Sequence, residues 1–407
     1  MSGATQASTT PPTPSLTADD DPRGNARLRS ACWALLLGNF VIGSGVMMVA
    51  GTLNDVAQSL RVSVSVAGQL MSVGAAAMCF GAPLLAGAVS RIDRRRLLTG
   101  SLLVYAIGHA LCALMPTFAT LLPVRALAVL GAAVFTPQAA AAIGVMAPPS
   151  QRGRCITFIF LGWSVASVAG VPIGAWMGGT FGWRSTFWAV AVVSVIAAAG
   201  VYRVLPSGIR PAAMSWQAWS AVLKSPVLMA IVFVTALSGA GQFTVFSYIA
   251  PYSEQVLGAS PTQIALLLCW FGLCGLLGNL IVSRGIDRIG ASRTVLIVVS
   301  LLALGLLLWP LATSFAAAVA IMLPWGLGVF SSNSAQQARL NQAAPAMAPA
   351  LMALNTSAIY LGQAVGAFGG GWLYDHSGWD WVSWVGFAWL LAALALSAWA
   401  GHKMRMR

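Results

Sequence analysis

One charged residue interrupts a long apolar stretch of this sequence. Arg125 is the only charge between Leu121 and Met146, and a guanidinium stays protonated at any ordinary pH. Such a group is costly to place in hydrocarbon, so its presence indicates either a functional role or an anchor at a membrane boundary. A second titratable residue, His109, lies in the apolar run "LLVYAIGHALCALM". It can carry a proton or simply pack, and the sequence leaves both open.

The composition places these residues in a membrane. The chain is 58% hydrophobic and only 8% charged, whereas soluble domains are about a quarter charged. Apolar runs of roughly 20 residues, the length that crosses a bilayer, recur almost without pause. They predict an all-α membrane protein with twelve transmembrane helices, here called spans 1 to 12, centred near residues 42, 78, 106, 133, 167, 193, 238, 273, 302, 324, 359 and 390.

The basic residues predict the orientation of these spans. If the N-terminus is cytoplasmic, 19 of the 22 basic residues fall in inside segments, and only Arg61 and Arg184 fall outside. This bias is the positive-inside rule, and it predicts that both termini are cytoplasmic. The net charge of +13 is therefore a topology signal, and no nucleic-acid partner is expected.

The chain divides into two halves of six spans. Trp216 and Trp219 are three residues apart, which predicts a helix lying at the membrane interface between the halves. No cleavable signal peptide is recognised, and the cysteines suggest no disulfide framework. Neither a metal-ligand spacing nor a P-loop is present, so we expect no metal and no cofactor. The predicted segments are a disordered cytoplasmic tail (1–30), a first half (31–204), a linker (205–225), a second half (226–400) and a cytoplasmic tail (401–407).

The two halves repeat each other in sequence. The loop after span 2 reads "SRIDRRR" (90–96) and the loop after span 8 reads "GIDRIGASR" (285–293). Span 5 contains "GVPIGAWMGGTFGW" and span 11 contains "GQAVGAFGGGWLYDHSGW", both with glycines four residues apart and a final Gly-Trp. Parallel six-span repeats with a solute site between them are a transporter architecture.

These stretches, in this order, make the chain resemble the major facilitator superfamily, and within it the twelve-span drug and sugar efflux branch of the arabinose-efflux-permease type. The matching stretches are "FVIGSGVMMVAG", "RIDRRRLL", Arg125 at the start of span 4, "GVPIGAWMGGTFGWRSTF" and "LNTSAIYLGQAVGAFGGG". The resemblance covers about residues 31–400. It implies a monomeric exporter of the bacterial inner membrane that works by alternating access, with proton antiport.

The resemblance gives the loop after span 2 a gating role. In the family this loop latches spans 2 and 11 on the inward side. Ser90 stands where the family has an acid, and Asp93 is the candidate replacement. The alternative is that these charges are solvated and serve only the topology. The candidate gating residues are Arg91, Asp93, Arg94, Arg95, Asp287 and Arg288.

Span 5 carries the element that the resemblance associates with export. Gly170, Gly174 and Gly178 share one helix face, where they permit close helix packing. Pro172 lies among them and is expected to bend the helix. Packing without directional meaning is the alternative.

Arg125 is expected about 11 Å outward of the middle of span 4, within a half-thickness of about 15 Å. From there it could extend to the outer boundary. The alanines around it instead favour burial among neighbouring helices. The resemblance implies a part in proton-coupled conformational change, for which we name Arg125 and His109.

The acidic residues complicate proton coupling. None of the nine lies deep within a predicted span, although Asp55 and Glu254 could titrate from the outer rim. Proton antiporters usually carry such an intramembrane acid. An uncoupled facilitator of the same fold therefore stays open as an alternative. A solute sensor or a membrane enzyme is disfavoured, because no catalytic cluster and no output domain are recognised.

The cavity between the halves should be lined by spans 1, 4, 7, 10 and 11. Its predicted lining is apolar and aromatic with a few neutral hydrogen-bonding groups, which suits a small neutral or amphiphilic solute such as a drug, a sugar or a related metabolite. Each aromatic residue could alternatively serve packing. The candidates are Asn39, Met48, Phe135, Gln138, Gln242, Phe243, Phe246, Tyr248, Asn333, Gln336, Asn355 and Gln363.

Overall fold

The structure is a computed structural model that describes residues 22–89, 91–210, 220 and 222–405. In these residues the chain forms helices joined by short turns, and no β-strand is present. Spans 1 to 4 are Pro22–Leu60, Val64–Ala88, Arg94–Leu114 and Phe118–Met146. Span 5 comprises Pro149–Val165, a π-helical turn at Ala166–Gly170 and Val171–Phe181, and span 6 is Trp183–Val204.

The second half has the same order of elements. Span 7 is Pro226–Phe246, followed by the short helix Ile249–Gln255. Spans 8 to 12 are Pro261–Ile289, Ala291–Leu308, Phe315–Ala343, Ala348–Ser377 and Val382–Arg405. Short 3-10 turns, Trp309–Leu311 and Pro345–Met347, follow spans 9 and 10.

The helices confirm the predicted all-α membrane architecture. Eleven of the described helical segments are long and apolar enough to cross a membrane. Span 11, with 30 residues, is also long enough, but Asn355, Gln363 and several glycines lower its hydropathy. Asn355 and Gln363 are buried inside the helical bundle.

The ends of the chain differ from the prediction. Span 1 begins at Pro22, so the last residues of the predicted disordered tail are helical. Proline is favoured in the first turn of a helix, and the apolar periodicity missed this polar first turn. Span 12 likewise continues to Arg405. Residues 1–21, and Trp216 and Trp219 of the predicted interfacial helix, lie outside the described residues.

Hydroxyl side chains fix where several spans begin. Thr117, Ser225, Ser260 and Ser314 each accept a hydrogen bond from the backbone N–H three residues later. Each bond satisfies a donor that the first helical turn would otherwise leave free. The spans therefore start where the sequence places a capping residue next to an apolar run.

The π-helical turn of span 5 lies directly before Pro172. Proline has no N–H to donate, and its ring clashes with the carbonyl four residues earlier in a regular helix. A wider turn relieves this conflict. The π-helical turn lies where the halves meet, because Gly272 of span 8 approaches the backbone of Ser167 and Val168 there.

The two halves touch in the middle of the bundle and on the side opposite the termini. On that side Asn54 of span 1 donates a hydrogen bond to Glu254, just after span 7. Gly179 of span 5 packs against Pro261 of span 8. Among the described residues no hydrogen bond joins the halves on the side of the termini. The hydrogen bond described between the halves thus lies opposite the termini.

Spans 7 and 11 pack backbone against backbone. A Cβ atom at Gly362, Gly366 or Gly370 of span 11 would overlap with a carbonyl oxygen of span 7. These glycines are four residues apart and so share one face. By contrast, Gly369 has open space around it. The glycine spacing thus sets the distance between two spans that line the central space.

We expect Gly366→Ala to lower the stability of the protein by about 1–3 kcal/mol, because the new methyl group overpacks a backbone contact. Gly369→Ala is the matched control, and it should leave stability unchanged or raise it slightly. Thermal unfolding of the purified protein in detergent measures both. Equal melting temperatures for the two variants would contradict this account of the contact.

Candidate transport site

Arg125 lies in the interior of the first half and is only 2% exposed. Its Nη2 donates to the carbonyl oxygen of Gly45 at 2.8 Å, and its Nη1 lies 2.9 Å from His109 Nε2. The guanidinium carbon lies 5.8 Å from the centre of the Phe187 ring. The guanidinium is enclosed by protein, so the alternative in which it extends to the membrane boundary is wrong.

The bonds of His109 fix its protonation pattern. Its Nδ1 lies 2.8 Å from the carbonyl oxygen of Tyr105, which can only accept, so Nδ1 carries the hydrogen. Nε2 is then free to accept from Arg125, which can only donate. The imidazole is therefore neutral in this arrangement. A second proton on His109 would remove the acceptor from Arg125 and place two cations side by side.

The network of Arg125 and His109 joins several spans. Tyr105 of span 3 also donates from its hydroxyl to the carbonyl oxygen of Ile42 in span 1, at 3.0 Å. A side chain at Gly45 would overlap with that hydroxyl and crowd His109. Spans 1, 3 and 4 are therefore held by a buried cation that has only neutral partners.

The predicted cavity residues of the first half mostly serve packing. Asn39 is fully buried, donating to the carbonyl oxygen of Ile159 and accepting from Thr136. Phe135 is buried against Gly38, and Met48 is buried beside span 5. Asn39, Phe135 and Met48 thus hold helices together. Gln138 remains partly exposed.

The second half contains a neutral polar cluster that links spans 7, 10 and 11. Asn355 accepts from Thr235 at 2.6 Å and donates to Asn333 at 3.0 Å. Gln336 donates to the carbonyl oxygen of Ile231 at 2.8 Å and reaches Thr235 at 3.2 Å. The structure thus brings together three of the predicted residues, Asn333, Gln336 and Asn355.

Two buried amide oxygens near this cluster have no hydrogen-bond partner in the described structure. They are Oε1 of Gln336 and Oε1 of Gln242, whose side chains are 2% and 7% exposed. Ser238 Oγ on span 7 also lacks one. Gln363 is buried as well. Burying an unpaired polar atom is costly, so these atoms suit a polar ligand or water.

The second part of span 10 has a partly exposed polar face. Asn333, Ser334 and Gln337 are partly exposed, whereas Ala335 and Gln336 between them are buried. Amide and hydroxyl groups are unfavourable against hydrocarbon. Asn333 on this face accepts a hydrogen bond from Asn355, so the face lies beside span 11.

The predicted aromatic residues of span 7 divide into three roles. Phe246 is buried and stacks on Phe271 with ring centres 5.0 Å apart. Tyr248 donates to the carbonyl oxygen of Ala367 and packs tightly against Gly68 of span 2. Only Phe243 remains partly exposed. Phe246 is thus a core residue, and Tyr248 closes the contact between the halves.

The predicted gating loop after span 2 makes its described contacts within the first half. Asp93 caps span 3 by accepting from the backbone N–H of Arg95 and Arg96, and it also accepts from Gly208 after span 6. The Arg95 guanidinium lies 4.2 Å from the centre of the Tyr202 ring. Arg94 is buried and donates to the carbonyl oxygen of Ile92.

The other gating candidates are exposed or have a side chain outside the described part of the structure. Arg91 and Arg288 are exposed. Ser90, and the side chain of Asp287, lie outside the described part of the structure. A latch between spans 2 and 11 at these residues therefore stays a prediction.

The glycine face of span 5 packs against span 1. A Cβ atom at Gly170 would overlap with Ser44, and one at Gly178 would press on Thr52. Gly174 lies close to Met48 and accepts a hydrogen bond from Thr186 through its carbonyl oxygen. Residues four apart on span 5 therefore contact residues four apart on span 1. Pro172, which lies between Gly170 and Gly174 on span 5, is buried.

Two carboxylates meet where the halves touch opposite the termini. Asp55 of span 1 is half-buried and interacts electrostatically with Glu254, which follows span 7. Glu254 also accepts the hydrogen bond from Asn54. The sequence named both acids separately, and only the fold brings them together.

Arg339 is a buried charge that the sequence analysis assigned to an inside loop. Span 10 continues through it, and the side chain is 1% exposed. It donates to Oγ of Ser397 at 2.9 Å and to the carbonyl oxygen of the same residue at 3.0 Å. Residues 329–344 contain no Gly or Pro, and this was the available sign that the helix continues beyond a minimal span.

Twelve spans in two halves, with a neutral polar cluster on spans 7, 10 and 11, are the architecture of a membrane transport protein. The Major Facilitator Superfamily model matches residues 35–350 and 255–405 in two overlapping segments. The chain belongs to the Major Facilitator Superfamily. This membership confirms the predicted family and the prediction that the chain is a multi-pass transporter and not an enzyme.

Relatives and solved structures agree with this assignment. The chain is 36% identical to the chloramphenicol resistance protein of Streptomyces lividans over 251 residues, or 61% of this chain and 64% of that one, slightly under two thirds. It is 29% identical to the inner membrane transport protein YdhP of Escherichia coli K12 over 343 residues, covering 83% and 87% of the two chains.

Two solved structures share the fold. One is a bacterial homologue of the human lysosomal transporter Spinster in an inward-facing, unoccupied conformation, with a TM-score of 0.73, 16% identity and coverage of 95% and 98% of the two chains. The other is a D-xylose-proton symporter, with a TM-score of 0.73, 19% identity and coverage of 90% and 97%.

The bond between His109 and Arg125 can be tested by mimicking one imidazole nitrogen at a time. We expect His109→Gln, whose amide oxygen can replace Nε2, to keep more stability than His109→Asn, whose amide occupies the place of Nδ1. Leaving a buried charged donor unpaired should cost about 2 kcal/mol or more.

His376→Ala is the control for this test, because exposed His376 has the same Nδ1 bond to the carbonyl oxygen four residues earlier, that of Trp372. It should change the melting temperature little. If Asn and Gln at position 109 were equally tolerated, the bond to Arg125 would not be the reason for His109.

Proposed function

We propose that this transporter exports a small neutral or amphiphilic solute across a bacterial inner membrane by alternating access. Both termini lie in the cytoplasm in this proposal, as the distribution of basic residues predicts. Solute enters the central space from the side of the termini. The halves then rock, and solute leaves on the opposite side. We also propose that the chain works as a monomer.

The polar face of span 10 is the observation that carries this proposal. Asn333, Ser334 and Gln337 are partly exposed in the middle of a membrane protein, next to the buried amide of Asn355. A lining of neutral donors and acceptors matches a neutral or amphiphilic solute better than an ion. The described spans place no carboxylate in this region.

The similarity of this chain to an efflux-type relative supports export and supports a drug as the solute. The relative from Streptomyces lividans is named for chloramphenicol resistance. The glycine and proline element of span 5, which the family resemblance associates with export, lies intact against span 1 and at the contact with span 8. A sugar or a related metabolite is the other solute class to test.

Expression of the protein in a drug-sensitive bacterium should raise the inhibitory concentration of chloramphenicol or a similar amphiphile. Asn333→Ala should weaken the apparent affinity roughly 2- to 10-fold, the worth of one hydrogen bond. Asn341→Ala, an exposed residue of the same helix, is the control. Accumulation of solute inside the cells, rather than its loss, would refute export.

Proton antiport is the coupling that we propose, with two groups that can respond to protons. The first is His109, whose protonation would break its bond with Arg125. The second is the pair Asp55 and Glu254, whose negative charges repel when both are ionised. Arg184 of the neighbouring span 6 donates to Ser59 and to the carbonyl oxygen of Met115, rather than to either carboxylate.

Protonation of Asp55 beside Glu254 should therefore favour contact between the halves opposite the termini. We expect the distance between spin labels at Gln58 and Val256, in a background without the native cysteines, to increase as pH rises. Glu254→Gln should remove this dependence, a change of about fivefold in the equilibrium for an interaction of ~1 kcal/mol between charges screened as in bulk water. Asp380→Asn, an exposed acid on the same side, is the control and should keep the pH dependence.

An uncoupled facilitator is the second candidate, because the described spans carry no carboxylate in their middle region. Proteoliposomes distinguish the two functions. Solute flux accompanied by opposite proton flux supports antiport, whereas solute equilibration without any change in internal pH supports the facilitator.

A further inference from the structure

A basic pocket lies on the side of the termini, away from the central space. It is a cavity of about 390 Å³ where the loop between spans 2 and 3 meets the segment after span 6. The proposed transport cycle gives it no task. Its lining includes Asp93, Arg95, Arg96, Tyr202, Gly208 and Arg210, and we call these residues the basic pocket.

The backbone builds the basic pocket. The N–H of Arg94 donates to the carbonyl oxygen of Ile209 at 3.0 Å, and the N–H of Gly208 donates to the Asp93 carboxylate. Ile209 is buried beneath this connection. Gly208 has φ of 89°, a conformation that glycine adopts without strain. The segment after span 6 is thus fixed against the start of span 3.

The basic pocket has an excess of two positive charges. It contains the guanidinium groups of Arg95, Arg96 and Arg210 and the carboxylate of Asp93. That carboxylate accepts from three backbone N–H groups, and the described residues provide no ion pair for the three guanidinium groups. Residues 211–223, which follow, contain no acid.

Helix stability does not explain these charges. Arg95 and Arg96 lie in the first turn of span 3, where the helix dipole is unfavourable for cations. The positive-inside rule accounts for basic residues on this side but not for their convergence on one cavity. The arrangement instead fits an anion that is bound from outside the protein.

The depth of the basic pocket indicates the source of that anion. Span 3 has 21 residues, a length of about 31 Å that equals the thickness of the hydrocarbon core. Its first residues therefore lie at the level of the lipid phosphates. Tyr202, which packs on Arg95 and is 52% exposed, is an aromatic residue of the kind found at this boundary.

We propose that the basic pocket binds the phosphodiester headgroup of an anionic phospholipid. Guanidinium groups bind phosphate oxygens through paired, charge-assisted hydrogen bonds. Basic pockets at the cytoplasmic ends of membrane helices suit such headgroups. A bound headgroup would join the start of span 3 to the segment that leaves the first half.

Thermal unfolding of the full chain in detergent tests this proposal with dioctanoyl phosphatidylglycerol as the probe. We expect it to raise the melting temperature more than dioctanoyl phosphatidylcholine does. Arg96→Gln with Arg210→Gln, two exposed positions, should weaken the phosphatidylglycerol affinity by about fivefold per guanidinium, or roughly 25-fold together. Arg152→Gln with Arg154→Gln removes two exposed charges outside the pocket and should preserve the affinity.

Three results would overturn the proposal. The first is equal stabilisation by the two lipids, and the second is full retention of the phosphatidylglycerol effect in the Arg96 and Arg210 variant. The third is the same shift with inorganic phosphate at equal concentration, which would assign the pocket to a free anion instead of a lipid.

Discussion

Two buried guanidinium groups constrain the packing of the helical bundle, because their hydrogen-bond partners are all neutral. Arg125 bonds to the carbonyl oxygen of Gly45 and to His109, and Arg339 bonds to Ser397. A carboxylate partner would add its own desolvation cost. Carbonyl and imidazole acceptors bind the cation without that second charge, but they must lie close to it. The charges therefore require helices that approach one another closely.

Small residues provide that approach throughout the molecule. Gly45 leaves room for Tyr105 and His109 beside the Arg125 guanidinium, and Gly366 brings span 11 onto the backbone of span 7. Association in a membrane relies on packing and hydrogen bonds rather than on the hydrophobic effect. The same contacts hold the spans of each half together. Spans 2 and 11 also pack extensively across the two halves, and the hydrogen bond from Asn54 to Glu254 joins the halves opposite the termini.

The distribution of polar groups follows from this arrangement. On the closed side, Asn54 meets Glu254 and Asp55 lies beside it, so the contact between the halves contains ionisable groups. Toward the termini, span 10 presents Asn333 to the central space. Ionisable groups thus lie at the contact between the halves, and neutral polar groups lie on the partly exposed face of span 10.

The sequence alone determined the class of protein. Apolar runs of a fixed length, the placement of arginines and the repeat of "SRIDRRR" and "GIDRIGASR" predicted twelve spans, two halves and a transporter, because membrane insertion imposes length and charge rules that are local along the chain. The tertiary structure decided the roles of individual side chains. It placed Asn39, Phe135 and Phe246 in packing, joined His109 to Arg125 and buried Arg339. Such outcomes depend on which helix lies opposite each face, and residues far apart in the chain decide that.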